Sequence, residues 1–313
     1  MELSIITVTW NSRQTIGRLI DSIPGAVFDP KTGRSLSYEH WVVDNASTDG
    51  TADFITEQYG SETVTGQNMS SESFEYSSEE IPRVRLWKNT KNEGFGAANN
   101  WAFHRAQGDF ILFLNPDMKL EPESLYKLAE WLWYNHEVGL VSPKLLTETG
   151  ELNVQATPRR FPSVWTQLAI IFKIPHIFPR VLDHYLMRDF DPNKEQDVDS
   201  VRGAFMLVRH EALSKLGWGF DPRYFFWFED VDLCREIKRL GYRVVYNPIV
   251  SATDYVGQSV KQQKTLWKQT QFTRGMLTYY QKWGPRYAVW LVAVARPIGI
   301  AMAWVVDKLK AKT

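Results

Sequence analysis

Leu3-Ser-Ile-Ile-Thr-Val-Thr9 is a β-branched apolar run that stops at Trp10-Asn11-Ser12, and Tyr38-Glu-His-Trp-Val-Val-Asp44 is a second that stops at Asn45-Ala-Ser-Thr-Asp-Gly-Thr51. Between them Ile16, Leu19, Ile20 and Ile23 recur at helical spacing behind Ser12, a residue type that caps helices. Another helix follows Thr51 through Phe54 and Ile55. Strand, polar loop, helix, strand is the start of a parallel sheet, because parallel neighbours need a long crossover and a helix is the usual one. The fold class is therefore α/β. Such sheets bind ligands outside the carboxyl ends of their strands, and Asp44 stands at one.

The alternation continues. Gly60 to Pro82 is rich in Glu and Ser without Lys or Arg, has no period, and reads as a mobile acidic insertion on the surface. Arg83 to Trp87 resumes as a strand, and Asn89-Thr-Lys-Asn-Glu-Gly-Phe-Gly-Ala-Ala-Asn-Asn100 leads into a helix ending near Gly108. Gly94-Phe-Gly96 lacks the third glycine of a dinucleotide fingerprint and follows the third strand, which argues against an oxidoreductase. Asp109 to Leu114 is the next strand, with Asn115-Pro-Asp117 directly at its end. An Asp there forms turns beside proline. It is also where a divalent cation would be held against a diphosphate, since magnesium takes one or two protein carboxylates plus phosphate oxygens and water.

The densest chemistry lies in Tyr224-Phe-Phe-Trp-Phe-Glu-Asp-Val-Asp-Leu-Cys-Arg235. Val231, Cys234, Ile237 and Leu240 recur at helical spacing, so Glu229 to Leu240 reads as an amphipathic helix ended by Gly241. Glu229, Asp230 and Asp232 then sit in its first turn. Exposed amides and the helix dipole stabilise carboxylates there, which is a sufficient account of them. The functional alternative is that the aromatic run walls a sugar-sized pocket, and one carboxylate at its floor takes a proton from an incoming hydroxyl. Trp227 and Phe228 either stack on sugar faces or belong to the core. Gly203, in Gly203-Ala-Phe-Met-Leu-Val208, marks either close approach of a ligand to backbone or a bend in a central strand.

At 313 residues and 44% hydrophobic content the chain can build one large globular domain or two small ones. Its single cysteine, Cys234, excludes an internal disulfide and fits a reducing cytosol. None of the six His forms a close pair at ligand spacing. Met1-Glu-Leu3 runs directly into the first strand, so no signal peptide is expected. Formal net charge is zero but uneven: beyond Tyr255, Lys and Arg face a single acid, Asp307. A basic tail suits an anionic surface, phospholipid or nucleic acid. Interleaved aromatic and apolar residues favour lipid, and no nucleic-acid reading motif is present.

Six blocks resemble, in order, those of family 2 glycosyltransferases: Thr7-Val-Thr-Trp-Asn11, Val43-Asp-Asn-Ala-Ser-Thr-Asp-Gly-Thr51, Asn92-Glu-Gly-Phe-Gly-Ala-Ala-Asn99, Leu114-Asn-Pro-Asp117, Val201-Arg-Gly-Ala-Phe-Met-Leu207 and Phe228-Glu-Asp-Val-Asp-Leu-Cys234. The nearest branch resembles bacterial rhamnosyltransferases that build polysaccharide on lipid-linked acceptors. The resemblance implies a GT-A fold, a Rossmann-like nucleotide-binding sheet with helices on both faces, joined to an acceptor-binding half. It implies that Thr7, Thr9 and Asn11 line the nucleotide pocket and that Asp44 bonds the base, a charge-assisted contact. Asn92, Gly94 and Asn99 would border the nucleotide, with Asn115 beside the sugar donor. Asn115-Pro-Asp117 occupies the family's Asp-any-Asp metal motif, so the metal contact passes to Asp117 alone. Asp254 stands where several members place a metal-binding His, and Mg2+ or Mn2+ is the expected cofactor. Glu229-Asp230 matches the acidic pair whose second member is the base, making Asp230 the candidate base. Glu229 and Asp232 would position the acceptor or neighbouring backbone, with Gly203 and Trp227 beside the acceptor, and Asp232 reads equally well as a solvated helix acid paired with Arg235.

Trp165 to Leu182 is apolar but interrupted by Pro175 and Pro179, and Ala288 to Val306 is apolar except Arg296, with Pro297 breaking its centre. A central Arg costs about 2.5–3.5 kcal/mol on insertion, which disfavours a span. One or two interfacial amphipathic helices are expected, with Trp283, Trp290 and Trp304 at headgroup depth and the flanking Lys and Arg on anionic lipid. The alternative is a helical pair packed on the domain. Residues 1–259 are thus expected to form the transferase domain, and 260–313 a basic, apolar, membrane-associated tail. The expected protein is cytoplasmic and peripheral on the inner face of the cell membrane. It would be an inverting, metal-dependent transferase taking a dTDP- or UDP-sugar, L-rhamnose first among the candidates, to a lipid-linked saccharide. A galactofuranosyl or other hexosyl donor is the alternative. A catalytically silent nucleotide- or membrane-binding scaffold is disfavoured, because it has no chemical need for Asp44, Asp117, Glu229 and Asp230 together.

Overall fold

The computed structural model describes residues 1–60, 63–65, 84–255 and 263–310. In chain order its first elements are β1 (Leu3–Thr9), α1 (Ile16–Ala26), β2 (Phe28–Asp29), β3 (Arg34–Ser35), β4 (Tyr38–Asp44), α2 (Thr51–Tyr59), β5 (Thr63–Thr65), β6 (Arg85–Lys88) and α3 (Phe95–Phe103). Next come β7 (Phe110–Leu114), β8 (Met118–Leu120), α4 (Ser124–Tyr134), β9 (Val138–Leu146), α5 (Val164–Ile171), β10 (Gln196–Asp197) and β11 (Phe205–Arg209). The chain closes with α6 (His210–Leu216), α7 (Glu229–Arg239), β12 (Arg243–Asp254), α8 (Thr265–Trp283) and α9 (Arg286–Lys310).

One sheet runs in the order β10-β12-β9-β11-β7-β1-β4-β6-β5, with β8 paired to β12. β1 lies parallel to β4 on one edge and to β7 on the other. The chain therefore steps outward through β4 and β6, then returns to β1's opposite edge. Strand order reverses at β1, which opens a crevice beyond the carboxyl ends of β1 and β7. β11 is antiparallel to both β7 and β9, so the sheet is mixed. The stretch 60–82, expected as loop throughout, contributes β5, an edge strand parallel to β6. Strand pairing there outweighed the polar composition; the rest of that insertion lies outside the described residues.

Period-two alternation sorts the central strands between two cores. Leu3 and Ile5 of β1 join Phe110, Leu112 and Leu114 of β7 on one face, while Ile6 and Val8 join Ile111 and Phe113 on the other. Helices cover both faces, as the buried pattern of β1 and β7 requires.

A third cluster ties the C-terminal helices to the aromatic run: Tyr224, Phe228 and Val231 pack with Met276, Tyr279, Tyr280, Val292 and Ala295. Asp307, the single acid of the basic tail, accepts from Thr265 N (3.2 Å) and Leu266 N (2.8 Å) and so caps α8 from the far end of α9. The expected break at Pro297 is absent. Pro297 and Ala293, whose carbonyl loses its partner, both lie on the exposed side, where solvent satisfies that carbonyl and α9 continues. Ala288, Val292, Ala295 and Ala303 are buried, whereas Trp290, Val294, Ile298, Trp304, Val305 and Leu309 are exposed. The boundary expected at 259/260 lies outside the described residues.

Candidate active site

A cleft of about 760 Å³ opens at the crevice, walled by Trp10, Asn45, Asn92, Gly94, Asn115 and Asp117, with Phe226 and Trp267 opposite. Asn45 cross-links the adjoining loops. Its Nδ2 donates to Asn92 Oδ1 (3.0 Å) and Gly94 O (3.2 Å), while its Oδ1 accepts from Asn89 Nδ2 and Glu93 N (3.0 Å each). Gly94 has φ 91°, and a Cβ there would stand 2.6 Å from Phe225 O. Both its dihedral and the close seating of the aromatic run require glycine.

A second cavity of about 1040 Å³ shares Phe95, Asn115 and Phe226 with the first and contains Arg202, Gly203, Trp227, Glu229, Asp230 and Asp254. The chain enters α7 through Trp227 and Phe228 at φ 67° and 74°, left-handed for two bulky residues in succession. Such conformers cost about 1–3 kcal/mol each and persist only when surroundings impose them. Here α8 imposes them: Phe228 packs on Phe272 and Tyr279, and a Cβ at Gly275 would stand 2.5 Å from Trp227 O. The strained turn aims the first turn of α7 into the cavity.

Asp230 is fixed through both oxygens, Oδ2 accepting from Gly203 N (3.1 Å) and Oδ1 from Val231 N (2.8 Å). Arg202 Nη1 stands 4.0 Å from its Oδ2. Glu229 Oε2 is buried without a hydrogen-bond partner among the described residues. Burial first, then the neighbouring Asp230 charge, push the Glu229 carboxyl up to about 8. Burial thus favours the neutral carboxyl, which is a hydrogen-bond donor beside Asp230.

Asp232 does not share this cavity, contrary to the acceptor role expected of it. Its side chain is fully buried and accepts from Tyr224 Oη (3.1 Å), Trp283 Nε1 (2.6 Å) and Lys282 Nζ (2.7 Å). The same ammonium reaches Asp221 Oδ2 (2.9 Å) and Glu236 Oε1 (2.7 Å). Lys282 and Trp283, expected at lipid headgroups, are therefore committed to the inside. Helical periodicity hid this, because Asp232 lies on the face of α7 that turns toward α8 rather than toward the cavity.

Of the expected donor-side residues, Asn92, Gly94 and Asn115 line the cleft. Thr7, Thr9 and Asn99 do not reach it: each is essentially unexposed, bonded respectively to His40, Asp44 and Phe95 O. Asp44 is also buried beneath the wall, accepting from Thr9 and Ser47 hydroxyls and from Ser47 N. Asn11 holds the next loop by accepting from Thr48 N (2.8 Å) and donating its own N–H to Ser47 Oγ (2.8 Å). Asn45, Arg202, Asn153 and Trp267 were missed. Asn45 and Arg202 adjoin residues that were singled out, whereas nothing local marks Asn153 or Trp267.

Asp117 walls the first cavity just ahead of β8 and Asp254 the second at the end of β12; these strands pair antiparallel, and past their ends Tyr255 N donates to Asp117 O (3.0 Å). Asn153 Nδ2 donates to Asp254 Oδ2 (3.0 Å). No three His, Cys, Asp or Glu converge at a metal-sized site among the described residues. Carboxylates of this kind suit magnesium or manganese, which take one or two of them and leave the remaining positions to phosphate oxygens and water.

The fold and cavities have counterparts among solved structures. A mannosyltransferase from Pyrobaculum calidifontis, solved with GDP-Man and Mn2+, superposes with TM-score 0.55 at 17% identity over 98% of this chain and 75% of that one. The S. aureus TarS 1-349 complex with UDP-GlcNAc gives TM-score 0.51 at 19% identity over 89% and 65%. These are GT-A glycosyltransferases, and the present fold is of that type. In sequence, the N-acetylglucosaminyl-diphospho-decaprenol L-rhamnosyltransferase of Mycobacterium tuberculosis is 26% identical over 259 residues, 79% of this chain and 73% of its own length. Rhamnosyltransferase WbbL of Escherichia coli K12 is 28% identical over 169 residues, 52% of this chain and 61% of its own. A family profile, Glycosyl transferase family 2, matches residues 4–217, which carry most of the cleft wall and the strands of the sheet except β12, and the chain belongs to that family of glycosyltransferases.

Proposed function

We propose that this glycosyltransferase moves L-rhamnose from dTDP-L-rhamnose to a lipid-linked saccharide, with inversion, at the cytoplasmic face of the cell membrane. The observation that supports this reading best is the junction of two cavities at Asn115, one bearing Asp117 and the other Asp230. A nucleotide-sugar in the first cavity directs its anomeric carbon through the junction. An acceptor in the second brings a hydroxyl to Asp230, which takes the proton as the new bond to carbon forms. Backbone N–H groups of Gly203 and Val231 orient that carboxylate. Protonated Glu229 donates a hydrogen bond to an acceptor oxygen. Attack from the face opposite the leaving diphosphate, in one displacement, inverts the centre. Asp117 and Asp254 would hold magnesium or manganese, which when bound offsets charge on the diphosphate.

Arg286–Leu309 is long and apolar enough to cross a membrane by length and composition. Its alanine stripe is packed against the folded chain, however, and only the opposite face is apolar and open. An interfacial position immerses that face and keeps the packing.

The test is nucleoside diphosphate release from dTDP-, UDP- and GDP-sugars with a lipid-linked acceptor and either metal. Turnover of dTDP-rhamnose that falls roughly 10²–10⁴-fold in Asp230→Asn is expected. Preference for a UDP-hexose transfers the reading to a hexosyl donor, and an Asp230→Asn enzyme within tenfold of wild type removes Asp230 as base.

A further inference from the structure

We propose that Arg202, backed by Arg159, is an anion site that holds the diphosphate of the lipid-linked acceptor at the edge of the cavity beside Asp230. This rests on reading that cavity as the acceptor's. Arg202 lines the cavity, its side chain is one-third exposed, and no hydrogen bond engages its guanidinium among the described residues. At 4.0 Å, Asp230 is a loose partner that leaves the N–H fork available.

Arg159 lies behind. Its Nη2 donates to the carbonyl of Gln155, a residue of the same cavity, at 3.2 Å, and its Nε is buried without a partner among the described residues. Burial, then the charge of Arg202, lower the Arg159 pKa, so two guanidiniums are held close against their own repulsion. Little in the cavity offsets them. Burial holds Glu229 toward its neutral form, Asp254 is engaged by Asn153, and Asp230 is one carboxylate facing the charges of both Arg202 and Arg159. A planar fork with surplus positive charge in a concave wall selects a phosphate oxyanion.

The donor also carries a diphosphate, but position favours the acceptor. Arg202 belongs to the Asp230 cavity and not to the cleft walled by Asn45, Asn92 and Asp117. On its outer side the Arg159 guanidinium sits 5.7 Å over the Tyr185 ring, and Arg160 N donates to Tyr185 O (3.0 Å). Tyr185 ends a segment on which Phe172, Ile174, Ile177 and Phe178 are exposed, an apolar track for a polyprenyl chain leaving the diphosphate.

The test is calorimetric binding of geranyl diphosphate with excess dTDP and Mg2+ filling the donor cleft. The proteins are wild type, Arg202→Gln, Arg202→Lys and, as a surface control, Arg160→Gln, whose guanidinium pairs with exposed Asp189. Arg202→Gln is expected to weaken binding roughly 10- to 100-fold, the scale of charged hydrogen bonds. Arg202→Lys should recover part, keeping charge but losing the fork, and Arg160→Gln should match wild type. Equal affinity in wild type and Arg202→Gln, or no binding to wild type, overturns the proposal. A comparable loss of dTDP affinity in Arg202→Gln assigns the arginine to the donor and also overturns it. Arg202-dependent binding without turnover of any lipid-linked saccharide leaves the anion site standing and removes the acceptor assignment instead.

Discussion

Replacing Lys282 by Met should destabilise the protein far more than an ordinary lysine substitution. Lys282 Nζ lies within 2.9 Å of Asp221, Asp232 and Glu236, all nearly or wholly buried. Asp221 retains Arg223 (2.6 Å) and Glu236 retains Arg239 (2.5 Å), but Asp232 keeps only the neutral donors Tyr224 and Trp283. The variant therefore leaves one buried carboxylate without a cation, a loss of about 3–5 kcal/mol. At about 2 °C per kcal/mol for a chain of this size, the melting temperature should fall by roughly 6–10 °C at pH 7. The pH sign follows from Asp221. Burial raises its pKa, but hydrogen bonds from Arg223 and Lys282 outweigh this and hold it well below the ordinary value of 3.8. That stabilisation is present above the unfolded value and is lost as pH falls through the folded one, so the Asp221 share of the gap between wild type and variant should hold down to about pH 4 and narrow only below the unfolded value of 3.8. Scanning fluorimetry of Lys282→Met and Lys282→Met/Asp232→Asn measures both. A loss below about 1 kcal/mol, or a double variant no more stable than the single one, refutes the account.

Glu229, with its carboxyl raised from 4.5 to about 8, should make turnover decline as pH rises through the folded value, and stability decline from 4.5 up to about 8 and then level off, because ionisation places a second negative charge beside Asp230. Glu229→Gln, permanently neutral, should flatten the alkaline limb of the kcat–pH profile, and an unchanged limb excludes Glu229 as its origin. Gly275→Ala should lower melting temperature and kcat together: alanine favours a helix by about 1 kcal/mol, but its Cβ meets Trp227 O at 2.5 Å. A more stable, fully active Gly275→Ala shows that α8 does not hold the turn before Glu229. Trp290→Glu/Ile298→Glu should reduce sedimentation with anionic vesicles by roughly tenfold or more, since both residues are exposed, at 64% and 49%. Undiminished sedimentation removes α9 from the membrane face.

The sheet was legible because its signals are local. A β-branched run ending in polar residues identifies β1, β4 and β7, and period two sorts Leu3, Ile5, Ile6 and Val8 onto their faces without knowledge of their partners. The cleft was legible for the same reason, since Asn92, Gly94, Asn115 and Asp117 all lie where a strand or its following loop ends. Burial decided what local signals could not. Thr7 and Thr9 have the polarity of ligand contacts, yet β1 is central, and a hydroxyl there can satisfy itself on a neighbouring strand, as Thr7 does on His40 and Thr9 on Asp44. β5 was missed because three residues inside an acidic stretch carry no period of their own.

The C-terminal tail shows why a charge census misleads when partners are distant in sequence. Lys282 reads as one more cation of a lipid-facing run, and Asp232, fifty residues earlier, as one more acid of a catalytic turn. Together they form one of the contacts that join α8 to α7. The tail also supplies Gly275 beneath Trp227, Trp283 on Asp232, and Trp267 on the cleft walled by Asn45 and Asp117. A helix pair whose outer face is apolar and open therefore has an inner face that shapes both cavities. Removing it would expose the aromatic run, orphan Asp232 and release the strained turn, so a truncated sheet domain should lose the orientation of Asp230 before it loses the sheet.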